Sequence, residues 1–480
     1  MPPSSNNASR SNNVSRRTLT TATGVAALAA YTGLAARPAY AADDDPSSTT
    51  PTAPDDATVP TEPPMPDEPL EPPASDATAA GDTDADIDTN PAAAQFRGMW
   101  LTTVFNRDWP SRPGQSPQTQ QQELLALLDT AVDRRLNAVV LQVRSLADAL
   151  WPSPYEPWAK CLTGVQGRDP GWDPLDFAVR EAHARDLELH AWFNPYRIAT
   201  QPDASLLAPD HPARRHPEWV VAYDGLLLYN PGLPEVRRFV QDAMLDAVAR
   251  YDVDGVHFDD YFYPYPASGQ VFDDDDAYQR HGGDFPDRAA WRRDNIDRLV
   301  QETAARIAEL NRSSSTGSGR PRRPVRFGIA PFGIWRDRSV DPRGSDTHGG
   351  LSSYDDLGAD TRGWVKNGWL DYVAPQLYWA IGSSTCDYAK LAPWWAEVVR
   401  GTDTLLYLGE ALYRAGTPGQ PAPWQDPGEL SRHLTFTQDL SEVRGNIFFS
   451  ARNVVQDPIG AMRQVITDHY QSRVRPPQRP

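Results

Sequence analysis

The chain has 480 residues, 40% of them hydrophobic and 23% charged, with a formal net charge of −18. This composition excludes a disordered polymer and predicts a soluble globular body of one large domain or two ordinary ones. The acidic balance argues against nucleic acid as the main ligand and leaves a neutral polymer such as a glycan open.

The N-terminus reads as an export signal. In "SRRTLTTATGVAALAA", Arg16-Arg17 precede an Ala-rich apolar run, and "AYA" (Ala39 to Ala41) supplies the small residues of a signal-peptidase site. The paired arginines predict a twin-arginine signal over 1–41, read by the Tat export machinery, with an ordinary secretory signal as the alternative. The run is too short for an anchor, so the mature form is expected to have no membrane span and to be secreted or wall-associated. Residues 42–94 hold fourteen acids, no Lys or Arg, and many Pro and Thr. They cannot bury enough apolar area to offset chain entropy and are predicted to be a disordered acidic linker. Cys161 and Cys386 are the only cysteines. Export permits them to pair, whereas folding before export would leave them reduced.

From Gln95 onward, strand-like runs alternate with helix-like segments. Strands are expected at 96–104, 138–144, 187–196, 254–264, 325–334, 371–379, 404–413 and 445–454. Helices are expected at 117–136, 173–185 (capped by Asp173), 234–250 (opened by Pro234), 288–311, 353–368, 388–400, 427–440 and about 456–470. Eight strand–helix units predict a (β/α)8 barrel, an α/β fold, over 95–472, with a flexible tail at 473–480. A doubly wound open sheet is the alternative, but no Gly-rich phosphate loop follows a strand.

Alternation within the strands assigns faces. Val139, Leu141 and Val143 alternate with Gln142 and Arg144. Leu189, Ala191 and Phe193 alternate with His190, Trp192 and Asn194. Val256 and Phe258 alternate with His257, Asp259 and Tyr261. Val373, Pro375 and Leu377 alternate with Gln376 and Tyr378. The apolar rows should face the helices and the polar rows the axis, with the polar residues gathered at the C-terminal mouth where barrel enzymes build their sites. In "DGVHFDDYFYPYP" (254–266), Asp259 should point inward. Asp260 has the opposite parity and should lie at the rim, and Asp254 reads as a turn or cap residue.

Buried polar groups at one rim are costly unless they bind something. Glycosidic cleavage needs an acid and a base or nucleophile, a task for paired carboxyls. Asp259 is the first candidate for nucleophile or base. The acid is Glu410 in "LYLGEALY" or, failing that, Asp260, with Asp108 and Asp360 behind them. A structural reading of Asp259 would bond it to Arg144 or His257. Arg144 in the mouth would need an anion, either Asp259 or a carboxylate on the substrate. His257 is either a core histidine or a hydroxyl contact. Asn194, Tyr261, Gln376 and Tyr378 suit sugar hydroxyls. Trp109, Trp151, Trp158, Trp192, Trp335 and Trp379 lie at strand ends or in the loops after them, where indoles could stack on sugar faces. Trp394 and Trp395 read as core. "FDDDDAYQRHGGD" (272–284) lacks EF-hand spacing and reads as a solvated acidic loop, so no metal or cofactor is expected. No Gly-x-Ser-x-Gly elbow, P-loop or His-Glu-x-x-His is present.

The strand-four spacing resembles the Asp-Gly-x-Arg-x-Asp of α-amylase-type barrels and the Asp-Gly-x-Asp-x-Asp-x-Glu of family-eighteen chitinases. Both set a functional carboxylate where Asp259 stands, while the chitinase acid falls on Tyr261. Longer stretches resemble another group: "FRGMWLTTVFNRDWPS", "ARDLELHAWFNPYR", "YDVDGVHFDDYFYPYP", "FGIAPFGIWR" and "DYVAPQLYW" are similar to the glycosyl-hydrolase-like ten family over about 95–415. The resemblance implies an exported bacterial barrel hydrolysing a cell-surface polysaccharide, peptidoglycan glycan strands first. The alternatives are a hydrolase of an exopolysaccharide and a non-catalytic glycan-binding barrel.

Overall fold

The computed structural model describes residues 87, 88, 90, 93–312 and 323–478. The expected signal at 1–41 and nearly all of the expected linker lie outside the described residues. Eight parallel strands close into a barrel. In chain order they are β1 (Phe96–Leu101), β2 (Ala138–Arg144), β3 (Glu188–Phe193), β4 (Gly255–Phe258), β5 (Arg326–Ile329), β6 (Tyr372–Val373), β7 (Leu405–Glu410) and β8 (Val443–Phe449). Each pairs with its sequence neighbours, and β8 closes on β1 through Gly445 opposite Phe96. The helices that return the chain are α1 (Pro117–Asp133), α2 (Pro174–His183), α3 (Pro234–Arg250), α4 (Arg288–Leu310), α5 (Thr361–Lys366), α6 (Tyr388–Val399), α7 (Glu429–Thr437) and α8 (Ala461–His469).

Local chemistry sets the helix starts. Proline opens α1, α2 and α3, where its missing N–H costs nothing. Asp173 caps α2 by accepting from the Asp176 amide at 3.0 Å, and Asp287 caps α4 from Ala290 at 2.7 Å. The helix expected at 353–368 shortens to α5. Asp356 instead accepts from the Ser352 amide at 2.7 Å in a turn, and Asp360 caps the helix through Gly363 at 3.0 Å. The helix expected at 456–470 is α8, preceded by a separate short helix, Ala451–Gln456.

The two faces of the strands separate as alternation predicts. Met99, Val139, Leu141, Val143, Leu189, Ala191, Val256 and Leu408 pack outward with the helices. Phe96, Trp100, Val140, Trp192, Tyr372, Tyr407 and Ile447 form a second cluster along the axis. Small residues make room for these rings. A Cβ on Gly255 would sit 2.2 Å from His190 Nδ1, and one on Gly328 would sit 2.1 Å from the Tyr372 ring.

A hydrogen-bonded column runs through this interior. The Trp100 indole can only donate, so His257 Nε2, 3.1 Å away, accepts and the proton sits on Nδ1. Nδ1 then donates to the Tyr372 hydroxyl at 2.9 Å, and that hydroxyl donates to His190 Nδ1 at 2.9 Å. Burial pushes both imidazoles below the ordinary histidine value, His257 well below it.

Three segments depart from expectation. The loop between β3 and α3 carries a three-stranded antiparallel sheet of Arg197–Ala199, Val220–Tyr223 and Leu226–Tyr229. Ile87–Asp88, assigned to the linker, pairs in parallel with Arg473–Val474, assigned to the tail, on the face opposite the mouth. The acidic stretch 272–284 folds into a short helix, Asp275–His281, with Asp274 buried against Arg288 and Arg292 at 3.1 and 2.7 Å. Cys161 and Cys386 are both free thiols, so they do not pair.

Candidate active site

At the mouth, β3 and β4 stand in register, Trp192 beside His257. The next inward residues, Asn194 and Asp259, therefore meet. Asp259 is 4% exposed and collects donors. Trp192 Nε1 donates to Oδ2 at 3.0 Å, Asn194 Nδ2 reaches both oxygens at 3.3 and 3.2 Å, and the Tyr261 amide donates to Oδ1 at 3.2 Å. Asn194 is held in turn, its Oδ1 accepting from the Arg197 amide at 2.9 Å. Burial, with the neighbouring charge of Asp260 adding, pushes Asp259 up to about 7, against the opposing pull of Arg197, Trp192 and Tyr261.

Asp260 also turns inward rather than lying free at the rim. Its Oδ1 accepts from Gln376 Nε2 at 2.9 Å, and its Oδ2 accepts from the Tyr265 hydroxyl. Burial raises this carboxyl too, opposed by Tyr265, Gln376 and Arg197. Gln376 is fixed by a second bond to the Ala330 carbonyl at 3.0 Å. Tyr378 lies beside Asp260 among Tyr413 and Phe449, at centroid distances of 5.7 and 6.3 Å. Tyr261 is half-buried, with the Arg197 guanidinium 4.7 Å from its ring centre. The mouth thus gathers two adjacent carboxyls that compete for protons, four amide and indole donors, and a guanidinium. Such a coupled pair can hold one proton and one charge near neutrality, the requirement for acid–base work.

Several expected members lie elsewhere. Glu410 shares the outward row of Leu406 and Leu408, and its side chain lies in the barrel wall. It accepts from Tyr388 at 2.8 Å, Asn446 at 2.8 Å and His433 at 2.9 Å and is wholly buried, so it cannot face Asp259. Arg144 meets neither Asp259 nor solvent. It forms a buried bidentate pair with Glu156 at 2.5 and 2.6 Å and donates to the carbonyls of Asn194 and Pro195. The register shift between Gln142 and Arg144 redirects it from the inward row. His257 is a core histidine whose two nitrogens serve the axial column. Asp254 is the structural residue expected, accepting from His183 and the Leu189 amide at 2.8 Å each. Asp108 ties β1 to the loop after β8 through Thr102 and Ser450 at 2.7 Å each. Asp360 serves its helix and Trp335.

Four of the six indoles expected to stack on sugars, Trp109, Trp151, Trp335 and Trp379, are packed within the protein. Trp335 is buried, with Nε1 donating to Asp360 at 2.8 Å, and Trp379 is buried edge-on to Phe332 at 5.7 Å. Trp109 and Trp151 are fully buried and donate to the Gln120 carbonyl and Asp246, while Trp158 is half-buried. Of the two read as core, Trp395 is fully buried and Trp394 half-buried against it. Among the described residues, the exposed aromatics of the loops after the strands include Tyr155, 36% exposed after β2, and Phe105, 51% exposed after β1 and in the left-handed region at φ 56°. A bulky residue held there is unusual and marks a constrained loop. Sequence reasoning missed Phe105, Arg197, Tyr265 and Trp100. The motif "NPYR" after β3 carried a signal for Arg197, three residues beyond Asn194.

Comparison with known proteins follows this geometry. Residues 95–426 match the family model described as glycosyl hydrolase-like 10. The chain is 44% identical over 388 residues to glycosyl hydrolase YngK of Bacillus subtilis (strain 168), covering 80% of this chain and 74% of that protein. It is 39% identical over 381 residues to glycosyl hydrolase DigH of Escherichia coli (strain K12), covering 75% and 84%. Among solved structures, the PgaB (BpsB) glycoside hydrolase domain from Bordetella bronchiseptica superposes with a TM-score of 0.49 at 15% identity, covering 77% of this chain and 97% of that domain.

Proposed function

The chain belongs to the glycosyl hydrolase-like 10 family and is a glycoside hydrolase, and on that premise we propose that it cleaves a bacterial surface glycan, peptidoglycan glycan strands first. The observation that carries the reading is the pair Asp259 and Asp260, buried side by side at the mouth of β4 and oriented by Trp192, Asn194, Gln376 and Tyr265. In this reading Asp260 gives the proton to the leaving oxygen and Asp259 works as the ionised partner. Arg197 steadies the charge of both, and Phe105 offers an apolar face to a sugar ring at the rim. The protein acts outside the cytoplasmic membrane, exported through its Arg16-Arg17 signal, where such a polymer is found.

The test is release of soluble sugar from purified sacculi, with and without prior amidase treatment, by the wild type and by Asp259→Asn. Release by the wild type alone, strongest after peptide removal, is expected. Equal release by both proteins removes Asp259 from the chemistry. Release from a secreted exopolysaccharide but not from sacculi moves the substrate to that polymer.

A further inference from the structure

We propose that the nucleophile of the first step is the 2-acetamido group of the substrate, so that the sugar at the cleavage point is a 2-acetamido-2-deoxyhexose. The inference rests on the hydrolase reading above and names the substrate class of the same site.

The argument is geometric. A glycosidase that attacks with its own carboxylate places its two carboxyls on opposite faces of the anomeric carbon, roughly 5–5.5 Å apart. Asp259 and Asp260 are consecutive residues beyond the end of β4, so both approach a sugar from one wall. Asp259 meets inward side chains of the strand before, and Asp260 meets Gln376 just beyond β6. Across the mouth, β7 and β8 bring Gly409, Ile447 and Phe449 to the corresponding inward positions. Glu410, the acid expected there, faces the helices with both oxygens engaged. Asp108 is closed off by Thr102, Ser450 and the Arg452 amide. Among the described residues, β4 alone supplies carboxylates to inward-facing partners at the mouth. The face of the sugar opposite the leaving group is then left to an atom of the substrate.

Asp259 is built to hold an amide. Its oxygens are oriented by the Trp192 indole, the Asn194 amide and the Tyr261 backbone, and an acetamido N–H is a further donor of the same kind. In the first step the acetamido carbonyl oxygen attacks C1. The new C1–O bond forms as the bond from C1 to the glycosidic oxygen breaks, and that oxygen takes the proton of Asp260. The positive charge of the resulting oxazolinium ring is matched by ionised Asp259, which accepts a hydrogen bond from its N–H. Water then attacks C1, gives one proton back to Asp260, and the ring C1–O bond breaks to restore the acetamide. C1 is inverted twice, so the product keeps the anomeric configuration of the bond that was cut, and water is the only co-reactant.

The test uses the full chain on peptide-free glycan strands. One sample is left N-acetylated, one is N-deacetylated by hydrazinolysis, and portions of the latter are re-acylated with acetyl, monofluoroacetyl, difluoroacetyl or trifluoroacetyl groups. Fluorine withdraws charge from the carbonyl oxygen and changes its size little. The expected result is a loss of roughly 10²-fold or more in kcat on deacetylation, restored by re-acetylation. Along the fluorinated series kcat should fall stepwise with little change in KM, and the first product seen by NMR should retain configuration. A flat kcat across the acyl series, or an inverted product, overturns the acetamido step and leaves the hydrolase reading standing. Release from none of the samples overturns both.

Discussion

The indole nitrogen of Trp192 lies 3.0 Å from Oδ2 of Asp259, a donor from β3 directed at the acid that follows β4. This bond favours the ionised carboxylate and counters the burial that pushes Asp259 up to about 7. Trp192→Phe keeps the ring and removes the donor. One charge-assisted hydrogen bond contributes about 1.5–3 kcal/mol, so kcat should fall roughly ten- to a hundredfold. The acidic limb of the pH–rate profile should move upward. A profile that stays in place would show that the indole does not govern this proton.

In the wild type, hydrolysis needs one proton on the carboxyl pair. Asp259 works as the ionised partner, and as pH falls through about 7 it takes up a proton and that charge is lost. The rate of sugar release should therefore decline below neutrality, recorded as kcat/KM from pH 4 to 9. A flat profile down to pH 4 would show that Asp259 does not act in its ionised form.

The same carboxyl burdens the fold. In the unfolded chain an aspartate ionises near 3.9. In the folded chain Asp259 keeps its proton up to about 7. Between those values the folded state holds the extra proton, so stability falls as pH rises across the interval and levels off above it. Asp259→Asn removes this penalty. Its Tm relative to wild type should be higher at pH 8 than at pH 4, by calorimetry at both, and a difference independent of pH would contradict the account. Activity should be lost at either pH.

Glu410 makes the opposite case. It shares a buried wall site with His433, whose imidazole is raised above its ordinary value by Glu410 and Glu429 against the cost of burial. Glu410→Gln leaves that imidazole with a weaker partner, and breaking a buried pair costs about 3–5 kcal/mol. Thermal unfolding should come earlier, while kcat of the protein that remains folded changes less than about threefold. A loss of kcat comparable to that of Asp259→Asn would return Glu410 to the catalytic pair.

At the rim, Phe105→Ala should raise KM with kcat and Tm nearly unchanged. An aromatic contact of this kind contributes about 0.5–1.5 kcal/mol, a few-fold in KM. An unaltered KM for long glycan strands would mean that the exposed ring does not meet the polymer.

Much of this arrangement was legible in the sequence. Alternation in "LELHAWFN" and "DGVHFDD" puts Trp192, Asn194, His257 and Asp259 on one face, and the barrel keeps them there. The same rule applied to "LLYLGE" turns Glu410 outward with Leu406 and Leu408, so its position was readable from parity even though its chemistry suggested the mouth. Arg144 was not readable. Its parity is inward, and only the shift in pairing after Gln142 sends it to Glu156, because a bulge depends on the partner strand rather than on local composition. The indoles misled for a related reason. A tryptophan near a strand end serves a loop core or a ligand equally well, and what decides is which polar atom its N–H finds, here Asp360 for Trp335 and Asp246 for Trp151.

Ile87–Asp88 and Arg473–Val474 lie side by side on the face opposite the carboxyls. A tag, resin or lipid joined ahead of the one or behind the other would hold the molecule from beneath, with its opening turned outward. Immobilisation through either end should then leave turnover of a long insoluble polymer intact, whereas coupling through the rim loops should block it.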